Sequence, residues 1–445
     1  VSLFGGLRRR LRLPLDSSLV GVLSVLMLLG AFFSAVTVKE QQPEGERAAR
    51  LLAPRLAALP PGGAVVAVGR DTAEDRRFTA AVVAAAATGG RPAHAVNGEP
   101  AAVREALAAH GGAVVALVAP ESYAAAARGS AEGLPRFAGA AVVTPPSYRW
   151  PTFLLPSNLR NVANQIAVIA IVAIGMTMVI VTAGIDLSVG SLIALSAVAV
   201  AWTIGRLGGE AASAPAMLLA GAVTVAVCAL TGAFSGLVIT RFRVPPFIAT
   251  LAVMQVASGL AYIVSQGKPI YRIPERFVVL GRGADPLLAV PWAVWLMLAL
   301  YVAAHLVMEH TVLGRHVYAV GGNPEAARLA GVPVNRVIVI AYVACAALAG
   351  LGGVVMASQL RSGAPTYGTM YELYVIAAVV VGGTSLAGGE GTIAGTLVGA
   401  FIIAVIQNGM NLTNVESYTQ KVVLGAVILG AVLLDRARRR RRGGG

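Results

Sequence analysis

Charge is scarce in this sequence. Asp, Glu, Lys and Arg make up 13% of its 445 residues and hydrophobic types 57%, with a mean hydropathy of +0.75. A soluble domain carries about a quarter charged residues, and this much apolar surface cannot be hidden inside one water-soluble particle. A soluble enzyme and a disordered chain are both excluded, and an integral membrane protein is implied. Cysteine is almost absent. Cys228 and Cys345 each fall in an apolar run, so they form no disulfide framework and read as small buried hydrophobes. The five histidines, His94, His110, His305, His310 and His316, lack zinc-ligand spacing. Lysine occurs only at Lys39, Lys268 and Lys421, never in a G-x-x-x-x-G-K-[ST] context. No nucleophile–base constellation is present. The expectation is a chain that is not an enzyme and itself binds no metal or cofactor.

Arginine dominates the formal charge of +14. Its clusters flank apolar segments: Arg8, Arg9, Arg10 and Arg12 precede the first, and Arg436 with Arg438 to Arg442 follows the last. That placement reads as the cytoplasmic basic excess that orients membrane proteins rather than as a nucleic-acid surface. Leu19–Val38 is a charge-free run too long for a secretory signal core, so a retained anchor is expected.

Crossing about 30 Å of hydrocarbon takes roughly 20 helical residues. Long enough are Leu19–Val38, Val162–Ile185, Leu187–Gly205, Ala211–Thr240, Val244–Gly267, Pro286–Met308, Val337–Leu360 and Gly391–Val415. Leu373–Gly389 and Val422–Leu434 are shorter but apolar, and together these runs predict ten spans. An even count puts both termini on one side, and the arginine clusters make that side the cytoplasm. The loop from Glu309 to Arg336 then lies inside and residues 39–161 outside; the basic loop Lys268–Arg282 falls outside as an exception.

Four regions follow: residues 1–38 as the cytoplasmic start and first span, 39–150 as an extracytoplasmic insert, 151–435 as a nine-helix core with a cytoplasmic loop at 309–336, and 436–445 as a basic cytoplasmic tail. The fold class is an all-α polytopic membrane protein carrying an α/β insert. Within the insert, strands are expected at Ala64–Val68, Ala93–Val96, Ala113–Val118 and Ala140–Val143, alternating with helices at Glu74–Ala87, Pro100–Ala109 and Ser122–Ala127. Such alternation implies a small parallel sheet covered by helices. No G-x-G-x-x-G follows the first strand. Gly69-Arg-Asp-Thr72 reads as a helix N-cap, with a ligand-facing loop as the alternative. The pattern resembles one lobe of a type I periplasmic sugar-binding protein, a likeness of fold alone.

Within the core, Gly184-Ile-Asp-Leu-Ser-Val-Gly-Ser191 sets a carboxylate between apolar runs, at a cost of roughly 2.5–3.5 kcal/mol at midplane. Asp186 and Ser188 fit a helix-to-helix turn with an N-cap; they also fit a broken helix end lining a polar path. Gly382-Gly-Thr-Ser-Leu-Ala-Gly-Gly389 matches that stretch at an offset of 199, pairing Gly184 with Gly383, Leu187 with Leu386 and Gly190 with Gly389. Paired glycine-interrupted helices point to a substrate path, so Thr384 and Ser385 join it as candidates. Glu372, at the outer start of a span, suits the helix dipole or ligand reception. Gln255, Gln407, Asn408 and Asn411 line a path or bond helices together. In the loop from Gly314 to Gly331, Asn323 is an N-cap, Pro324 fits the first helical position, Glu325 favours the N-terminus and Gly331 is a stop. A two-turn helix on the cytoplasmic side is either a docking element or a plain surface loop.

The ordered set Pro156-Ser-Asn-Leu-Arg-Asn-Val, Gly-Met-Thr at 175–177, Gly184-Ile-Asp-Leu-Ser-Val-Gly-Ser, Val244-Pro-Pro-Phe-Ile-Ala-Thr-Leu, Gly321-Gly-Asn-Pro-Glu-Ala-Ala-Arg-Leu-Ala-Gly-Val and Ala377-Ala-Val-Val-Val-Gly-Gly-Thr-Ser-Leu-Ala-Gly-Gly closely resembles the ribose-type permeases. These are inner-membrane subunits of bacterial ABC importers for simple sugars, and the resemblance runs loosely over 1–38 and closely over 152–435. It implies a monosaccharide pore formed with a second permease copy or paralogue. An ABC ATPase subunit would use ATP and Mg, and a periplasmic or lipid-anchored sugar-binding protein would deliver the sugar. Gly322, Asn323, Glu325, Ala326, Ala327, Arg328 and Gly331 would form the coupling helix that enters the ATPase. The insert departs from the family's short first outer loop. A permease for nucleosides or another small polar solute, and a membrane sensor reading ligand through the insert, are the alternatives.

Overall fold

A computed structural model describes residues 17–60 and 62–442, with backbone alone at 17, 18, 431 and 434–442. Arg8 to Arg10 and Arg12 therefore lie outside the described residues, as do the side chains of the arginines at 436 and 438–442. The chain divides into two compact units, 38–152 and the remainder.

In chain order the first helix is α1 (Ser17–Val36). The smaller unit then contains β1 (Val38–Gln41), α2 (Gly45–Ala57), β2 (Ala64–Gly69), α3 (Ala73–Thr88), β3 (Ala93–Asn97), α4 (Pro100–Ala108), β4 (Val114–Val118), α5 (Glu121–Ala131), β5 (Ala141–Val143) and β6 (Tyr148–Pro151). Four strands pair in parallel in the order β3-β2-β4-β5, while β1 and β6 form an antiparallel ribbon running from Val38↔Pro151 to Gln41↔Tyr148. Strand alternation explains the layers. Val66 and Val68 of β2 face a core with Val103, Leu107, Leu117 and Tyr123; Val65 and Ala67 face another with Leu52, Leu56, Phe78 and Val82. Both faces of β2 are buried, as its unbroken apolar run requires of a central parallel strand.

The 69–72 turn resolves as a cap. Thr72 Oγ1 accepts the Asp75 N–H at 3.2 Å, and Asp75 Oδ2 accepts the Arg70 N–H at 2.9 Å and its Nε–H at 3.0 Å. Arg70 Nη2 donates to Ser122 Oγ at 3.0 Å. Partial burial, reinforced by Glu74 and Asp75, raises the Glu44 carboxyl above its ordinary value. His110, stacked edge-on to His94 at 5.0 Å, is held below the usual histidine value by burial, then by His94 and Arg136.

The larger unit continues with α6 (Pro156–Val181), α7 (Val189–Arg206), α8 (Ala214–Phe242), α9 (Pro246–Ser265), α10 (Glu275–Arg282), α11 (Trp292–His310), α12 (Val312–Gly322), α13 (Pro324–Leu329), α14 (Val334–Leu360), α15 (Tyr371–Val381), α16 (Ile393–Leu412) and α17 (Ser417–Arg442). Helices α6 and α14 form the centre. α6 is buried at every residue from Ile166 to Val181, and α14 packs against α6, α7 and α8. Gly232 and Gly236, one turn apart on α8, let the backbones of α8 and α14 approach. A Cβ at Gly232 would collide with Tyr342 O, and one at Gly236 would fall 2.8 Å from Val339 Cα.

Among the described residues, eight helices are long and apolar enough to cross a membrane: α1, α6, α7, α8, α9, α11, α14 and α16. The other two of the ten expected spans fall in helices that do not meet that length and composition. Leu373–Gly389 is not helical throughout: it holds most of the shorter apolar helix α15, which stops at Val381, and residues 382–392 form a glycine-rich loop. Val422–Leu434 lies inside α17, a longer helix whose last turns carry the arginine run. Val162–Ile185 becomes α6 by starting earlier, at Pro156 in the first helical turn, and stopping earlier, at Val181. The loop from Glu309 to Arg336 holds two helices, α12 and α13, where one was expected.

Candidate functional site

The core is interrupted at two points by the same local structure. After α6, Ala183 adopts a left-handed φ of +60°, its N–H donates to Ile180 O at 2.9 Å, and the Gly184 N–H donates to Val179 O at 3.0 Å. After α15, Gly383 has φ +94°, its N–H donates to Val380 O at 2.9 Å, and the Thr384 N–H donates to Val379 O at 3.1 Å. Both are left-handed helix stops that satisfy terminal carbonyls. The geometric register pairs Ala183 with Gly383, an offset of 200, which corrects the 199 read from glycine identities. Backbone hydrogen bonding, not residue identity, defines the equivalence.

In the first break, Asp186 is 1% exposed. Its Oδ1 accepts the Ser188 N–H at 2.9 Å and the Ser188 hydroxyl at 2.6 Å. Ser188 occupies the N-cap position of α7 without a side-chain cap bond, so Asp186 orders the turn before the helix instead of capping it. Asp186 Oδ2 makes no hydrogen bond of ordinary geometry, although the Cys345 thiol interacts with the carboxyl. The Leu187 N–H donates to Thr250 Oγ1 at 3.2 Å and the Tyr342 hydroxyl to Ile185 O at 3.3 Å. In the second break, the Ser385 hydroxyl oxygen accepts the Ala387 N–H at 3.2 Å, while Thr384 Oγ1 is buried without a partner. Asp186 Oδ2 and Thr384 Oγ1 are the two such buried side-chain atoms among the described residues. Polar atoms left unpaired in an apolar interior are costly, and both lie in the breaks.

Glu372 lies in the first turn of α15. Residues 361–370 fold back along α7: a Cβ at Gly363 would collide with Ala197 O, and Gly368, at φ +70°, abuts Gly190 O and Ile193. α15 therefore begins beside the first turn of α7. A Cβ at Gly190 would collide with Glu372 Oε2, so the half-buried carboxylate sits where two helix N-termini converge, an electrostatically favourable place for negative charge. The start of α7 faces the middle of α14: Asp186 meets Cys345, and the Ser196 hydroxyl bonds to Gly350 O.

The α12–α13 element is joined to both breaks. A Cβ at Gly321 would collide with Val181 O, the Gly389 N–H donates to that same carbonyl at 2.9 Å, and the Tyr318 hydroxyl donates to Gly391 O at 2.8 Å. Asn323 ends α12 and caps α13, its Oδ1 accepting the N–H groups of Glu325 (3.0 Å) and Ala326 (2.9 Å). Gly331 at φ +85° turns the chain, and the Val332 N–H closes on Ala327 O at 3.0 Å. Of the expected coupling residues, Ala327 is buried and Gly322, Asn323, Glu325, Ala326, Arg328 and Gly331 are exposed. Leu329, absent from that expectation, is 90% exposed; its place at the end of a capped helix was the available signal.

The remaining path candidates disperse. Gln255 sits on an exposed face of α9. Asn408 is engaged by Asn158 in a reciprocal amide pair, at 3.0 and 2.9 Å. Gln407 opens into a cavity shared with Gln165, Asn411, Gln420, Tyr371 and Tyr374; Gln165, Gln420 and both tyrosines were not anticipated.

Residues 158–432 match the family described as the permease component of branched-chain amino acid transport systems. The chain belongs to this permease family. Among its relatives, the ribose import permease protein RbsC of Escherichia coli (strain K12) is 45% identical over 287 residues, which is 64% of this chain and 87% of the relative. RbsC of Bacillus subtilis (strain 168) is 43% identical over 288 residues, with the same coverage. The L-arabinose ABC transporter permease protein AraH of Azospirillum brasilense is 37% identical over 292 residues, or 66% of this chain and 84% of the relative. No solved structure matches. The family match lies wholly in the larger unit of the permease and includes both helix breaks and the α12–α13 element.

Proposed function

We propose that this chain is the membrane-spanning permease subunit of an ATP-driven ABC importer that carries a simple sugar such as ribose or arabinose. The relatives named for ribose and arabinose transport support that substrate class. The chain is a pore subunit and not an enzyme; ATP and Mg are used by a partner ATPase. The single observation that carries the mechanism is the capped α13 helix, which presents Leu329 at its surface and is tied through Gly321 and Tyr318 to both breaks.

In this reading α13 is the coupling helix, and the ATPase receives Glu325, Ala326, Arg328 and Leu329. Burying Leu329 there contributes about 1.5–3 kcal/mol. Nucleotide-driven movement of the ATPase shifts α12 and α13 together, because Asn323 caps one and ends the other. The shift reaches Val181 and Gly389 and so displaces the two break segments. Alternating access follows from rocking of the elements beyond the breaks, with Asp186, Ser188, Glu372, Thr384 and Ser385 along the path. Ten crossings complete the inner-membrane topology when α15 with its preceding stretch and α17 are counted with the eight long helices. Both termini and α13 are cytoplasmic, and the 39–150 insert is extracytoplasmic. A second permease copy or paralogue completes the pore, and a periplasmic or lipid-anchored binding protein delivers the sugar.

The test reverses charge and polarity on α13. Glu325→Arg combined with Leu329→Asp is expected to reduce ribose and arabinose uptake in proteoliposomes to background while the permease still inserts. Undiminished uptake with normal sugar-stimulated ATP hydrolysis would remove α13 from the coupling role.

A further inference from the structure

The cavity between α6, α15, α16 and α17 has a volume of about 210 Å³ and lies in the larger unit. Polar side chains from four helices converge on it: Gln165, Tyr371, Tyr374, Gln407, Asn411 and Gln420. Ile166, Ile169 and Ala404 supply an apolar floor. Among the described residues, the amides of Gln165 and Gln407 and the hydroxyls of Tyr371 and Tyr374 carry no hydrogen bond. Gln420 Nε2 donates to Asn411 Oδ1 at 2.9 Å and to Val415 O at 2.8 Å. That fixes both side chains and leaves the Gln420 carbonyl and the Asn411 amide nitrogen unsatisfied. The two tyrosine rings stand edge to face, 6.0 Å apart. Gln165 and Asn411 are exposed and Tyr371, Tyr374, Gln407 and Gln420 are part-buried, so these polar groups line an open cavity and face whatever enters it.

Resting on the reading of the chain as a sugar permease, we infer that this cavity is a binding station for one neutral monosaccharide within the pore subunit. Three observations select that class. No charged side chain lines the cavity, so it has nothing to neutralise the ammonium or carboxylate of an amino acid. Amides and phenols supply both donors and acceptors, as a ring of hydroxyls requires. The tyrosine faces and the apolar floor suit the C–H face of a sugar ring. The volume is below the roughly 300 Å³ at which pockets for drug-sized ligands begin, so a single ring fits and a disaccharide does not.

The experiment uses the full permease with its ATPase and binding protein in proteoliposomes. Gln407→Cys is labelled with a small cationic methanethiosulfonate while D-ribose, L-arabinose or L-leucine is present; the two native cysteines are buried. Gln165→Cys, at the more exposed side of the cavity, provides the same readout if Gln407→Cys does not assemble. An imported sugar is expected to slow labelling several-fold and L-leucine to leave it unchanged. Adding Asn411→Leu should raise the half-protecting sugar concentration about fivefold, the loss of one neutral hydrogen bond. Sugar import with labelling indifferent to sugar would overturn the station and leave the permease function standing. Import of L-leucine in place of either sugar, with L-leucine protecting the thiol, would overturn both.

Discussion

The two units of this chain solve the same problem in opposite solvents. In the smaller unit, Val65 to Val68 turn alternately into two apolar layers and, apart from the buried Asp75, the charged residues lie outside. In the larger unit the outer surface is apolar, with Leu218 at 75% exposure, Leu230 at 70% and Ile263 at 73%, while Asp186, Ser188, Thr384 and Ser385 are buried. Burial of apolar area drives the first arrangement. In the second, lipid already satisfies the outward side chains, and small residues such as Gly232 and Gly236 let backbones pack. The contrast shows that hydrophobicity alone does not separate core from surface in this chain.

Substitutions at four positions sharpen or break that contrast. The largest effect is expected from Val66→Asp, which puts an unpaired charge on a fully enclosed strand and costs about 4 kcal/mol or more. Proteolysis of whole protein should then clip the 38–152 unit and spare the helices; simultaneous loss of both would show that the units fold as one. Next is Leu230→Asp near the middle of α8, expected to cost roughly 2.5–3.5 kcal/mol of membrane insertion. A glycosylation-mapped insertion assay measures it, and an unchanged inserted fraction would mean that this face meets protein or water, not lipid.

A smaller effect separates two changes at Asp186. Asp186→Asn keeps an oxygen for the Ser188 N–H and should leave thermal stability in detergent nearly unchanged. Asp186→Leu removes the acceptor and should cost about 1–3 kcal/mol; equal melting of the two variants would deny the turn its structural role. The smallest effect concerns His110. Its lowered value means that the folded insert prefers the neutral ring. That preference is fully present above the ordinary histidine range near 6.5, and stability declines as pH falls below it. Pulse proteolysis of the whole chain from neutral pH to about pH 5 should show a modest decline that His110→Phe abolishes. A decline of the same size in the variant would assign it to other groups.

Much of this architecture was legible in the residues. Charge-free runs located the eight long helices because a span must satisfy its backbone internally and present apolar side chains throughout. Alternation and turn residues located the four parallel strands of the insert. The end of α15 was set too late: residues 382–389 contain no charge, but Gly382 and Gly383 directly follow Val381, the last helical residue, and mark the stop. α12 was hidden for the opposite reason. Its glycines Gly314, Gly321 and Gly322 look like a loop, yet Gly314, Val317, Val320 and Gly321 form one buried face. Glycine and leucine identities paired the two breaks one residue out of register, since Ala183 and not Gly184 takes the left-handed turn. The cavity lined by Gln165, Gln407 and Gln420 draws on residues hundreds of positions apart, so no local pattern marks it. The β1–β6 ribbon, closed by residues more than a hundred positions apart, was missed for the same reason.

The Val181 carbonyl receives the Gly389 N–H while Gly321 rests against it. One peptide unit thus serves as a common pivot for three segments far apart in sequence. Any displacement of that carbonyl would therefore be felt at both interruptions.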